Sequence, residues 1–145
     1  EADIKFIIDD LLEKKIVPRN VEVNVKVESS ARKVTVDPTF IDRIMYNLVT
    51  NAIQAMPNGG KLAIRVFKDK TTDEAVITVA DTGIGIPEAI KCKLFTPMFT
   101  TKSKGQGFGL AVIKRMTEAL GGTVAFESQE AKGTTFMIRL PSTHT

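Results

Sequence analysis

Two periods of apolar spacing alternate along the chain. Ile4, Ile7, Ile8, Leu11 and Leu12 recur at helical spacing and predict a first helix packed on a core. Over 21–27, VEVNVKV, the period drops to two, the mark of a half-buried strand. Residues 33–36 are expected to form a short second strand beside it. Asp37-Pro38 then opens a helix, with Asp37 as cap and Pro38 tolerated at the first helical position. That helix is expected to run to about Met56, with Ile41, Ile44, Leu48, Ala52 and Ala55 as its apolar stripe, and Pro57-Asn58-Gly59-Gly60 ends it. Alternation resumes at 61–67 through Leu62, Ile64 and Val66. It returns at 75–80, with Val76 and Thr78 on one face and Ile77 and Val79 on the other, after a polar connection over 68–74. A helix is predicted over 110–120, stopped by Gly121-Gly122, then strands over 123–126 and 134–140 joined by a polar loop through Gly133.

This order predicts an α+β two-layer sandwich: one mixed, mostly antiparallel sheet of about five strands with helices on one face. The segment 82–108 is too long for a routine connector. Its Pro87-Glu88-Ala89-Ile90 reads as a short helical turn, whereas 100–105 carries no apolar anchor. Such a loop is either disordered or a lid ordered by ligand, and its lysines favour a lid that closes on an anion. Phe95, Met98 and Phe99 fit equally a clasp for that lid or ordinary core.

A chain of 145 residues is long enough to bury one real core. Its net charge of +3 is modest and its lysines are spread out, which argues against nucleic acid as a partner. Cys92 is the single cysteine, read as a small, partly buried thiol. No run reaches the length of a membrane span and no leader pattern opens the chain, so an intracellular domain, or one excised from a longer membrane protein, is expected.

The chemistry concentrates in 77–113. Asp81 ends a strand, Gly83 and Gly85 follow it, and Gly105, Gly107 and Gly109 precede a helix. Glycines before a helix let backbone N–H groups converge on an anion at the positive end of its dipole, a phosphate-binding arrangement in outline. The glycine spacing is not that of a dinucleotide fingerprint, and no GxxxxGK[ST] is present. On the 38–56 helix, Asn47, Asn51 and Gln54 lie along the edge of the apolar stripe. They bond backbone or water, or they serve a ligand; an amide oxygen is a suitable hard ligand for Mg²⁺.

Four blocks in order, NLVTNAIQA from Asn47, DTGIG from Asp81, FTPMF from Phe95 and GQGFGL from Gly105, with GTTF from Gly133 as a fifth, carry a resemblance. The chain resembles, over essentially its whole length, the catalytic ATP-binding domain of sensor histidine kinases. These belong to the superfamily that includes DNA gyrase, the Hsp90 chaperones and mismatch-repair ATPases. The resemblance implies a Bergerat-type fold with a long ATP lid, ATP or ADP with Mg²⁺ as cofactors, and transfer of the γ-phosphoryl group to a histidine in two-component signalling. It implies that Asp81 accepts a hydrogen bond from the adenine amine, that Gly83 and Gly85 let the backbone approach the ring, and that Asn51 is the metal ligand. Asn47 would bond phosphate or orient the site. Ile86, Gln106, Phe108, Leu110 and Thr134 complete the implied nucleotide contacts, with Lys102, Lys104 and the glycines at 105, 107 and 109 around the phosphates. Thr134 shares the alternating face of Phe136 and Ile138, whereas Thr135 points the other way.

In gyrase-like and chaperone-like ATPases and related serine kinases, a glutamate four residues before the metal-binding asparagine serves as general base. Here that place holds Asn47, which cannot take a proton, so efficient hydrolysis or serine activation is not expected. Neutral imidazole is already nucleophilic and needs less help. The alternative is an ATPase, serine kinase or nucleotide-binding regulatory module of the same superfamily. The only histidine, His144, sits in a polar tail and is not expected to be the phosphoacceptor. Gln54 stands where some similar domains place a phosphate-contacting lysine, leaving that charge to Lys102 or Lys104. The expected organisation is therefore a single catalytic domain over 1–145, without the dimerising hairpin. Its partners would be ATP, a dimerising phosphoacceptor histidine domain of the same or another chain and, indirectly, a response regulator. No nucleic acid and no direct membrane insertion are expected, in a cytoplasmic setting whether the parent protein is soluble or membrane-anchored.

Overall fold

The computed structural model describes residues 2–14, 17–34, 36–86 and 106–141, with side chains from 110 onward in the last stretch. The residues at 87–105, which include the expected turn at 87–90, Cys92, Phe95, Met98, Phe99, Lys102, Lys104 and Gly105, lie outside the described residues, as does His144.

The elements in chain order are β1 (Ala2–Asp3), α1 (Ile4–Lys14), β2 (Val21–Val27), a 3-10 turn (Ser29–Ala31), β3 (Lys33–Val34), α2 (Pro38–Gln54), β4 (Gly60–Lys68), β5 (Ala75–Asp81), α3 (Gln106–Ala119), β6 (Thr123–Gln129) and β7 (Gly133–Leu140). Asp37 caps α2 as expected: its carboxylate accepts the Thr39 N–H at 2.9 Å, satisfying one of the donors that a helix start leaves open. Strands β2, β4, β5, β7 and β6 form one sheet in that order, with β2 and β4 parallel and every other pair antiparallel. The expected mixed, mostly antiparallel five-stranded sheet with helices on one face is thus the observed architecture.

The short strand expected beside β2 is a correction. Lys33–Val34 pairs instead with Ala2–Asp3, in a separate two-stranded sheet. The place beside β2 belongs to β4, whose seven paired residues offer a far longer ladder than a two-residue strand can. Arg32 reinforces the smaller sheet through both carboxylate oxygens of Asp3, each at 3.1 Å.

One face of the sheet carries Leu62, Ile64 and Val66 of β4, Ile77 and Val79 of β5, and Phe136, Ile138 and Leu140 of β7, all buried. Against it lie Ile4, Ile7, Ile8 and Leu11 of α1, Ile41, Ile44, Met45, Leu48, Val49 and Ala52 of α2, and Leu110 and Ile113 of α3. Burying each of the large aliphatic side chains stabilises by about 1.5–3 kcal/mol, so this layer is the main source of stability. Met45 and Val49 widen the α2 stripe beyond the expected positions, because a helix wedged against both the sheet and α3 buries a broader arc than a single seam. Val76 is buried although it lies on the other face of β5, in register between Phe67 and Arg139.

Helix α3 starts at Gln106, four residues before the expected Leu110. Gly107 and Gly109 therefore lie in its first turn, where backbone N–H groups have no partner within the helix.

Candidate functional site

The alternating pattern of the central strands brings the site residues to one rim of the sheet. Ile77, Val79 and Asp81 share the helix-covered face of β5, and the pairing sets Asp81 opposite Thr134 of β7 and Thr134 opposite Ser128 of β6. One step inward the same row reads Val79, Phe136, Phe126, and the two rings there stand 5.7 Å apart. The core thus ends in a polar row, Asp81–Thr134–Ser128, at the edge of an apolar layer.

Asp81 is only 9% exposed. Burial pushes its carboxyl above the usual carboxylate range, opposed by hydrogen bonds from the backbone N–H groups of Gly83 and Thr134. The Gly83 N–H donates to its Oδ1 at 2.8 Å. No Lys or Arg among the described residues pairs with it. The result is a desolvated acceptor held rigidly in place, suited to a neutral donor such as an amine hydrogen.

The loop after Asp81 is strapped on two sides by backbone. Ile84 N–H donates to the Ala55 carbonyl at the end of α2, and its own carbonyl accepts Ala131 N–H from the β6–β7 connection at 2.7 Å. A Cβ at Gly83 would stand 2.2 Å from the Ala55 carbonyl oxygen, and one at Gly85 2.2 Å from that of Gln129, with Gly85 also at φ +73°. The protein's own backbone therefore demands both glycines, before any ligand is considered.

Ser128 is the residue that sequence reasoning missed. Its Oγ accepts the Ile86 N–H at 2.8 Å, lies 2.7 Å from the Thr134 hydroxyl oxygen and 3.2 Å from the Gly133 carbonyl oxygen. The strand was expected to stop at Phe126. Extending the alternation Val124, Phe126 by one step would have put Ser128 on the buried face. Thr134 lies on the expected face and is buried, while Thr135 is half-buried on the other.

On α2, Asn47 and Asn51 are half-buried and Gln54 is exposed, away from the buried stripe. Asn51 Nδ2 and the neighbouring Thr50 Oγ1 are buried with no hydrogen-bond partner among the described residues. An orphaned buried donor costs about 1–3 kcal/mol, and phosphate oxygens are acceptors that would relieve it. Helix α2 packs on β5 and α3, and the Ala55–Ile84 bond ties its last turn to the loop after Asp81. The structure thus links Asp81, Gly83, Ser128, Ile86 and Thr134 through one bonded network, sets Gly85 close against the Gln129 carbonyl, and joins α2 to the same loop. Leu110 is buried in α3, while Lys102, Lys104 and Gly105, and the side chains of Gln106 and Phe108, are not among the described features.

Residues 36–144 match the family model described as histidine kinase-, DNA gyrase B-, and HSP90-like ATPase. The chain belongs to that family. It is an ATP-binding domain homologous to the catalytic domains of sensor histidine kinases. Sensor histidine kinase ZraS of Salmonella typhimurium is 36% identical over 124 residues, which cover 85% of this chain and 26% of that protein. Sporulation kinase E of Bacillus subtilis is 33% identical over 132 residues, 91% of this chain and 18% of that protein. The chain thus spans about a quarter or less of the length of these relatives. Among solved structures, the nucleotide-free catalytic domain of histidine kinase ThkA superposes with a TM-score of 0.82 at 32% identity, covering 97% of this chain and 93% of that one. The mycobacterial sensor histidine kinase MprB also gives 0.82, at 26% identity and 99% coverage of both chains. No described helix is long and apolar enough to cross a membrane.

Proposed function

We propose that this histidine-kinase-type domain binds Mg·ATP at the Asp81 rim and delivers the γ-phosphoryl group to a histidine on a dimerising phosphoacceptor domain. The observation that carries the reading is Asp81 itself, a buried carboxylate held by backbone N–H groups. Such a group selects the adenine amine over the guanine carbonyl, which would oppose it.

Asn51 fits the ion: its carbonyl oxygen is a hard ligand, and its buried Nδ2 is left in need of an acceptor such as a phosphate oxygen. Mg²⁺ held by an amide oxygen would also take phosphate and water oxygens, as this ion ordinarily does beside nucleotides. The ion, when bound, offsets charge on the phosphates. Asn47 orients the phosphates beside Asn51. The backbone N–H groups at 105–109, with Lys102 and Lys104, offset charge on the γ-phosphate oxygens. Ile86, Gln106, Phe108 and Leu110 frame the nucleotide, and Thr134 faces its base.

Asn47 supplies no base, so the attacking imidazole and any proton-accepting carboxylate belong to the partner domain, with a response regulator downstream. The chain would act as a single catalytic domain on the cytoplasmic side of whatever parent carries it. Incubation with labelled ATP and a separate dimerising histidine domain tests this. Acid-labile, base-stable phosphate on the partner is expected; rapid phosphate release by this chain alone would overturn the assignment. Asn51→Ala should abolish transfer and remove the Mg²⁺ dependence of nucleotide binding, and an unchanged Mg²⁺ titration would remove Asn51 from the metal shell.

A further inference from the structure

Thr82 stands between Asp81 and Gly83, where β5 leaves the sheet. The pair Leu62–Asp81 ends the β4–β5 ladder, and one step beyond it the Lys61 N–H donates to the Thr82 side-chain oxygen at 3.0 Å. The hydroxyl proton has its own acceptor: Thr82 Oγ1 lies 3.9 Å from Sδ of Met56, a buried residue just past the end of α2. Packing here is close, since a Cβ on Gly60 would stand 2.5 Å from Thr82 Oγ1 and 2.8 Å from Met56 Sδ. Thr82 as a residue is nevertheless exposed, so it adds little to the core.

One hydroxyl thus joins three segments: the turn after Asp81, the start of β4 and the end of α2. Within the turn, the Gly83 N–H holds Asp81 Oδ1 and so orients the carboxylate. That bond does nothing to fix the turn against the helix. The ties to α2 do so, and they are made at two successive residues: the Ala55 carbonyl accepts the Ile84 N–H at 2.9 Å, and Met56 Sδ accepts from Thr82. Asn51 lies one turn back along the same helix, its carbonyl accepting the Ala55 N–H at 3.0 Å. A bonded path therefore runs from the carboxylate of Asp81 to the backbone that carries the Asn51 amide. A ligand reaching from one to the other gains from both only if their spacing is right, to within about 0.5 Å.

We propose that Thr82 is a positioning residue that sets the spacing between the two ends of the site. Its hydroxyl holds the Asp81 turn to β4 through the Lys61 N–H and to the end of α2 through Met56, so that Asp81 and Asn51 act on one ligand at once. Thr82 itself does not touch the nucleotide. The reading rests on the nucleotide site proposed above, and it assigns to this side chain the coupling between base recognition and metal binding.

The test is calorimetric binding of ATP with Mg²⁺ and of ATP in excess EDTA, for wild type, Thr82→Val, Thr82→Ser and Met56→Leu. In EDTA the metal end is silent, and the difference between the two affinities reports how well both ends act together. Thr82→Val keeps the shape and removes the hydroxyl; it is expected to weaken Mg·ATP by about tenfold, the scale of one net hydrogen bond, and ATP in EDTA distinctly less. Thr82→Ser keeps the hydroxyl and should restore the affinity gained from Mg²⁺. Met56→Leu conserves volume, leaves the Lys61 bond in place and should show the same selective loss at smaller size, whether or not the valine variant folds well. Wild type that binds ATP in neither condition would overturn the nucleotide site itself. Wild type that gains from Mg²⁺, with Thr82→Val and Met56→Leu gaining as much, would overturn the role of Thr82 alone. Equal losses in both conditions would also overturn it, since general loosening of the fold has no reason to single out the metal-dependent part.

Discussion

The two ends of strand β5 both handle acidic side chains, and they do so in opposite ways. At the end where β4 turns into β5, Asp69 and Glu74 meet Arg139 of β7 at 2.9 and 3.1 Å. The Arg139 guanidinium holds the Asp69 carboxyl below the usual range, helped by the N–H groups of Thr71 and Thr72. At the other end Asp81 is more deeply buried, and its partners are backbone N–H groups, so burial raises its carboxyl instead. Charge at the first end is compensated within the protein and stabilises it. At the second end an acceptor is held desolvated and in want of a donor, the condition for binding and a cost to the unliganded fold.

The largest break in this contrast is expected from Gly85→Ala. Its Cβ would meet backbone at 2.2 Å and the residue sits at φ +73°. A loss of more than about 2 kcal/mol in denaturant unfolding, with nucleotide binding abolished, is expected from the clash and the left-handed backbone together. Unaltered stability would show that the loop is not wedged against Gln129.

Next in size is Asp81→Asn, which should weaken ATP by more than about 1 kcal/mol in calorimetry and erase the preference over GTP. The same variant should melt no lower than wild type, because it removes a desolvated charge. A protein that both keeps ATP preference and melts lower would reverse the roles given to the two ends.

The pH dependence sharpens the contrast further. The folded-state pKa of Asp81 is raised, so the stability it contributes is fully present below its unfolded pKa and is lost as pH rises through the folded value. Asp69 is shifted down, so its contribution is present above the unfolded pKa and is lost as pH falls through the folded value. Melting curves across the acid range should therefore flatten in opposite senses for Asp81→Asn and Asp69→Asn. ATP affinity should fall with acidification through the Asp81 pKa in wild type only.

The smallest effect belongs to Arg139→Gln. It opens a partly exposed cluster that salt screens, so a slight fall in melting temperature with unchanged ATP affinity is expected. A change in affinity would mean that the two ends of β5 are coupled.

Local pattern was enough for much of this molecule. Alternation in 61–67 and 75–80 is a property of neighbouring residues, and so is the Asp37-Pro38 start confirmed by the Asp37–Thr39 bond. The face on which Thr134 lies followed from the same parity. The family, too, was legible in five short blocks, because a ligand site built at strand and helix ends leaves its glycines, amides and acid in compact runs.

Partnership across the chain was not legible. Parity says which face a strand presents, never which strand lies beside it, so only the folded molecule put β4 against β2 and Lys33–Val34 against Ala2–Asp3. The same holds for the glycines: the need for Gly83 and Gly85 could be read, but the neighbours that impose it, the carbonyls of Ala55 and Gln129, come from distant elements. Ser128 is the sharpest case. Strand parity could place Ser128 on a face but no more; its meaning arises where the loop at Ile86 and the start of β7 converge on one hydroxyl, which tertiary packing alone decides.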